Sequence, residues 1–431
     1  MYGLHWIAVL AMLAVSWSRS GNILHPHFMF TVMFCVHLSD FLTRGYDDQT
    51  IAYIPSGDLH TYQLLILFII VATNFLSLPL RERRVEAAVR GVLEGMVVTK
   101  VMIRRIGAVA WLIVGAEILK RLNSVGWSPA EVLSQSFNPR FDREWDKDAF
   151  AYGNFIYAII SILLPLSASA FAYIFVNGRG LARFLAPLGF LLVLAILITD
   201  GFRTPVALSL AAPAFFIIQN KGNTLWKALI VGALGVAGAA AMSVMYLFRS
   251  AGYKVDAAQR EFAFIYHQDD SYYRAIYAYY ISDTSSYSWD PLYFIYLKLI
   301  NPIPRFFWPD KPVIDAVFYG EYKLWYVTML YIGEIVAMAG PLLTTFVAIV
   351  FGLAVYWMFY RSAALLRYPL GVAAYLMIAV YVYMIIRSAE NVAHWAYLPA
   401  FSVLVVLAFR RWQGAGTARR QHPPRARDAS W

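Results

Sequence analysis

At 431 residues the chain is long enough for two or three soluble domains, yet 60% of it is hydrophobic and 14% charged, against roughly 45–50% and 25% in soluble proteins. That balance excludes an ordinary water-solvated core and makes lipid the solvent for most of the chain. The formal net charge of +10 would fit nucleic acid only as one continuous basic field, and its distribution along the chain argues against that.

Eleven apolar runs are long enough to cross a bilayer core of roughly 30 Å, the shorter ones with snorkelling ends or local thinning. The first, residues 2–17, lacks a basic leader and a small-residue cleavage site and is read as a retained span. The second, 23–42, holds Cys35, the only cysteine, so no intramolecular disulfide and no multi-cysteine metal site is available. His25 and His27 at its start have no carboxylate close in sequence, which makes a metal site there improbable. The third run covers 59–80. A basic stretch at 81–105, RERRVEAAVRGVLEGMVVTKVMIRR, leads into the fourth, 106–120, where Glu117 is placed to pair locally with Lys120 and Arg121. The 121–150 segment that follows has no assigned role. Runs at 151–176, 184–199, 204–219 and 228–248 complete an N-terminal bundle over 1–248.

Residues 249–327 form the longest non-membrane segment, and 22 of its 79 residues are Phe, Trp or Tyr, against 16% for the whole chain. Aromatic faces stack on sugar rings while the interleaved polar groups hydrogen-bond hydroxyls. The same enrichment also marks helices lying at headgroup level, so both readings stand. The stretch 325–360 is too long for one span, since 36 residues of helix would measure about 54 Å. A break at Gly340-Pro341 divides it into a short segment dipping into the membrane and a span at 340–360. The short segment carries Glu334, a lone carboxylate in apolar surroundings and therefore a candidate general base. Spans at 369–386 and 394–409 complete a C-terminal unit over 328–409. A disordered basic tail, 410–431, ends the chain.

All 36 Lys and Arg fall between spans or at their ends. Placing 81–105 and the tail in the cytoplasm fixes every other loop by alternation. One side then carries 20 Lys and Arg with 4 Asp and Glu, the other 16 with 22. The N-terminus and the 249–327 loop face outward. The basic excess lies against the anionic inner leaflet, which removes the reason to invoke nucleic acid. No glycine-rich phosphate loop precedes a helix, and no H-E-x-x-H occurs.

Four arginines stand where spans meet the outer face: Arg203 in TDGFRTPV, Arg249, Arg305 in NPIPRFFWP, and Arg387 in MIIRSAENVAHW. A guanidinium is the side chain best matched to phosphate oxygens, although any single arginine at a helix end can simply snorkel. His394 lies near the same face, seven residues after Arg387, as a second candidate base or hydroxyl ligand.

The string NPIPRFFWPDKP at 301–312, with GFRTP after an earlier span and LYIGEIVAMAGPLLTTFVAIVFGL downstream, resembles the Wzy-type O-antigen and exopolysaccharide repeat-unit polymerases. The likeness runs from about 190 to 360, with a general match of hydropathy over most of the chain. It implies an all-α, polytopic, GT-C-like membrane protein with about 11 transmembrane helices and one long extracytoplasmic loop, in a bacterial inner membrane. It also implies a glycosyltransferase that joins polyprenyl-diphosphate-linked oligosaccharides on the periplasmic face, with no cofactor, metal or nucleotide sugar. By motif, Arg203 and Arg305 match arginines of the family and Glu334 its Gly-Glu position. Lys311 and Trp308 of the proline-rich string and Tyr280 of the aromatic stretch join the four arginines as candidates for holding diphosphate or glycan. The implied partners are the lipid-linked oligosaccharide, the growing polysaccharide chain, a chain-length regulator protein and membrane lipids. Two other functions fit the class: an O-antigen ligase, which differs in acceptor, and a lipid-linked oligosaccharide flippase. A flippase would need cations lining a cavity within the helices, and here every Lys and Arg sits at a span end.

Overall fold

Apolar runs separated by proline, glycine and charged clusters form helices, because a helix is the one open segment that satisfies all its own backbone hydrogen bonds in lipid. The computed structural model describes residues 1–44, 54–80, 82–94, 100–136, 144, 154–199, 271–284, 290–300, 308, 310, 312, 329–368, 371–389 and 392, with scattered positions between 206 and 240 and between 399 and 408. The described residues are mostly helical and include no strand.

In chain order the helices are α1 (Tyr2–Ser20), α2 (Pro26–Arg44), α3 (Ser56–Leu76), α4 (Arg83–Glu94), α5 (Lys100–Ser124), α6 (Pro129–Ser136), α7 (Asn154–Asn177), α8 (Leu181–Thr199), α9 (Ser271–Thr284), α10 (Pro291–Ile300), α11 (Tyr331–Ser362) and α12 (Gly371–Arg387). A 3-10 turn, Ala363–Arg367, joins the last two. Among the described residues, Ser56–Leu76, Leu181–Thr199 and Tyr331–Arg367 are long and apolar enough to cross a membrane. Pro26–Leu38, Leu163–Asn177 and Ala374–Arg387 are shorter apolar helices. The expected spans at 204–219, 228–248 and 394–409 lie largely outside the described residues.

Along the chain α1, α2 and α3 run in alternating directions, with Tyr2 beside Phe41, Ser16 beside His27 and His27 beside Asn74, which defines two ends. At one end Tyr2 of α1 stacks on Phe41 of α2 with ring centroids 5.0 Å apart. There too His5 Nε2 and the Tyr272 hydroxyl of α9 share a 2.7 Å hydrogen bond. At the other end Arg19 Nη2 donates to the Leu80 carbonyl at 3.1 Å and the Tyr375 hydroxyl donates to the Leu24 carbonyl at 2.9 Å. That second end is closed by α4, an amphipathic helix with Val85, Ala88 and Val89 buried and Arg83 and Arg84 exposed, packed against the 3-10 turn. Glu82, just before α4, accepts from Arg361 at 2.8 Å. The Tyr360 hydroxyl takes the Glu82 amide at 2.7 Å and donates to Glu86 at 3.2 Å.

Helix α11 is two helices joined by a kink. Gly340 sits at φ 71, ψ 166, a region that only glycine occupies without strain. Pro341 then opens the second half, where its missing N–H costs nothing because the first amides of a helix have no intrahelical partner. The halves live in different surroundings. Every residue from Tyr331 to Ala337 is buried, whereas Leu342, Leu343, Phe346, Val350 and Trp357 of the second half are exposed opposite a buried stripe of Thr344, Ala348, Gly352, Val355 and Phe359. An apolar face so open to its surroundings is what a lipid-facing helix presents.

Helix α9 comes from the aromatic segment expected to form an outer loop, and it lies inside the bundle against α2, α3 and α11. Tyr272, Tyr273, Ala275, Ile276, Ala278 and Tyr279 are fully enclosed. Neither a headgroup-level helix nor an open sugar-binding face describes these tyrosines. Exposed aromatics are carried instead by α10, whose Tyr293 and Tyr296 stack at 6.2 Å. Asp290 caps that helix by accepting the Leu292 and Tyr293 amides at 2.9 and 3.3 Å.

Candidate functional site: a buried carboxylate in a broken helix

The enclosed half of α11 carries Glu334, whose side chain is 1% exposed. A carboxylate withdrawn from water must be hydrogen-bonded or it destabilises its own ionised form. Glu334 Oε1 accepts a hydrogen bond from the Ser388 hydroxyl, just past the end of α12 and itself fully buried. Arg387, the last residue of α12, is half-buried beside Ser388 in the chain.

The half-helix is pressed against α9. A Cβ added to Gly333 would stand 2.8 Å from Ala275 Cα and 3.0 Å from Met329 Sδ, so the absence of a side chain at 333 and the small one at 275 set this approach. The start of the half-helix is tied to the same neighbour, because the Leu330 amide donates to the Ser271 carbonyl at 3.1 Å. Ser271 opens α9, and its hydroxyl oxygen is 3.1 Å from His37 Nδ1 of α2. The His37 imidazole is fully buried and stacks on Tyr383 of α12, with centroids 4.9 Å apart and planes 10° from parallel. Among the described residues, four elements therefore meet around Glu334: α2, α9, the first half of α11 and the end of α12.

Further along α9, Tyr279 stacks on Tyr62 of α3 at 5.7 Å, and the Tyr62 hydroxyl donates to Asp283 at 2.7 Å. Tyr280 is half-buried between these contacts and the bundle surface. Trp308 is also half-buried and packs against the core.

Of the catalytic and substrate-binding candidates named from the sequence, Glu334, Arg387, Tyr280 and Trp308 are described. Arg203, Arg249, Arg305, Lys311 and His394 lie outside the described residues. His5, His37, Ser271 and Ser388 are the additions that sequence reading passed over. A usable signal existed for the two histidines, since each is an ionisable residue within an apolar span.

At the opposite end, His27 shares a 2.6 Å hydrogen bond with Ser16 and a 3.1 Å one with the Asn74 carbonyl oxygen. His25 does have a carboxylate neighbour, Glu86 at 3.3 Å, which is 61 residues away in sequence. Glu117 forms the local ion pairs expected of it, with Arg121 Nε at 2.9 Å and Lys120 Nζ at 3.3 Å. All three groups are largely withdrawn from solvent. Among the described residues no three His, Cys, Asp or Glu side chains gather to hold a metal ion. No known protein family, no curated protein and no solved structure matches the chain.

Proposed function

We propose that this chain is a membrane-embedded glycosyltransferase that polymerises polyprenyl-diphosphate-linked oligosaccharide repeat units into O-antigen or exopolysaccharide on the periplasmic face of a bacterial inner membrane. About eleven spans in a GT-C-like arrangement would carry it. The observation behind the reading is the enclosed Glu334, held by Ser388 on a half-helix at the same end of the bundle as Arg387. The IPRFFWPDKP string and its likeness to repeat-unit polymerases supply the substrate class.

In this reaction Glu334 takes the proton from an acceptor sugar hydroxyl as that oxygen attacks the anomeric carbon of the lipid-linked donor. The bond from the anomeric carbon to the diphosphate oxygen breaks with inversion, and the lipid diphosphate leaves toward Arg203 and Arg305. Ser388 fixes the carboxylate plane, which is how a base is kept in line with its proton. The arginines match phosphate geometry and neutralise the charge that develops on the leaving group.

Deletion of the gene followed by polysaccharide gel analysis tests this reading. Loss of long chains with a single repeat still attached is the expected result. Loss of all attachment would instead make the chain a ligase, and a stalled cytoplasmic lipid intermediate would make it a flippase.

A further inference from the structure

In the circuit of contacts around Glu334, His37 touches both flanks. His37 hydrogen-bonds Ser271, whose own carbonyl holds the Leu330 amide four residues before Glu334. The same imidazole lies flat on Tyr383, five residues before Ser388 on the helix that delivers Ser388 to the carboxylate. From these contacts we infer that His37 is a positioning residue for Glu334: it fixes α9 against α12 so that the half-helix and Ser388 meet in one register. The inference deepens the proposed reaction and rests on it only for its kinetic consequence.

The physical basis is that packed interfaces hold discrete arrangements rather than deforming smoothly. Two flanks joined through one buried ring keep a fixed separation. With the link to Ser271 removed, α9 and the half-helix stay joined through the Leu330 amide and the Gly333–Ala275 approach but lose their tie through the ring to α12, so the pair can shift against that helix. The Ser388 hydroxyl and the Glu334 carboxylate would then share several separations instead of one, and a misplacement of about 1 Å is enough to cost a catalytic base much of its rate.

The test uses the full-length protein purified in detergent and a hydrophobic carbodiimide, which modifies carboxyl groups out of reach of water. Modification at Glu334 and at Glu117 is followed by peptide mass spectrometry, with melting temperature measured on the same samples. His37→Phe keeps the stack on Tyr383 and loses the hydrogen bond. His37→Asn keeps a donor and acceptor near Ser271, and Ser271→Ala removes the contact from the other side. Loosening of one hydrogen bond predicts a rise of roughly 3- to 10-fold in Glu334 modification for His37→Phe and Ser271→Ala, with Glu117 unchanged and with a rise in His37→Asn as well, since it keeps the polar contact but loses the stack on Tyr383. In a polymerisation assay His37→Phe and Ser271→Ala should lose kcat while the KM for the lipid donor stays within about twofold.

Glu334 reacting in His37→Phe and Ser271→Ala as it does in the wild type overturns the inference. So does a parallel rise at Glu117 with a fallen melting temperature, which would make His37 a general packing residue. Failure of the proposed function is read separately: a Glu334→Gln protein that polymerises normally removes the base but leaves the carbodiimide result, obtained on the wild-type carboxylate, intact.

Discussion

Replacing the Glu334 carboxylate with an amide preserves its size and removes its basicity, and Glu334→Asp retracts the same group by one methylene. A base must come within about 2.6–3.2 Å of the hydroxyl it serves, so both changes should lower turnover by roughly 100-fold or more with donor binding nearly intact. Polymer formation and donor binding measured on the same purified variants separate the roles, and loss of binding would make the carboxylate a structural partner. Arg203→Ala and Arg305→Ala address the leaving group. Each charge-assisted bond to phosphate is worth about 1.5–3 kcal/mol, and Arg203→Lys should still lose much of the activity because it keeps the charge without the fork. Normal polymer at normal protein level in both alanine variants would remove the phosphate assignment. The buried group at Glu117 behaves differently, since its partners lie one turn away on the same helix. Arg121→Leu leaves Glu117 paired with Lys120 and should cost about 1.5–3 kcal/mol of stability, the worth of one charged hydrogen bond, seen as a lower melting temperature. Glu117 and Glu334 were both visible in the sequence as acids in apolar runs, and the Glu117 pairing could be read from its i, i+3 and i, i+4 spacing. The histidines were marked only as ionisable residues within apolar spans, and nothing nearby in sequence said what they would meet. The partners of His5 and His37 are also 267 and 234 residues distant, beyond any local pairing rule.

Elements show the same division between local and distant causes. The break in α11 was legible because Gly340 and Pro341 act on their own backbone, one through its left-handed φ and the other through its absent N–H. Alanine at 340 would place a Cβ in a region occupied essentially by glycine alone, at a cost of about 1–3 kcal/mol. The expected result of Gly340→Ala is therefore a lower melting temperature with polymerisation falling alongside it, because relaxing the kink swings the half-helix away from α9 and α12. A variant as stable and active as the wild type would show that the kink does not hold the carboxylate in place. The burial of α9 was not legible. Its composition suits an interface helix, and what draws it inside is a surface that only the fold supplies: Gly333 and Ala275 in close approach, with rings from α2 and α3 meeting Tyr272 and Tyr279. Gly333→Val should separate α9 from the half-helix and destabilise by roughly 1–3 kcal/mol, the usual cost of overpacking.

At the scale of the molecule, the two ends of the bundle and the charge pattern together predict one orientation. Arg83, Arg84, Arg361 and Arg367 gather where α4 meets the 3-10 turn, and Glu334, His5 and His37 belong to the opposite end, where α1 begins and α12 finishes. Basic residues flanking spans are retained in the cytoplasm, so the α4 end is expected inside and the carboxylate end outside. Substitution of Cys35 by Ser gives a background without thiols, since it is the only cysteine. In that background Ser286→Cys, between α9 and α10, should react with an impermeant thiol reagent on spheroplasts. Ser430→Cys in the basic tail should react only after the membrane is permeabilised. The reverse pattern would turn the molecule over and place Glu334 toward the cytoplasm, where an enzyme acting on exported lipid-linked sugar has no substrate. Orientation thus bears on chemistry as directly as any substitution at the carboxylate.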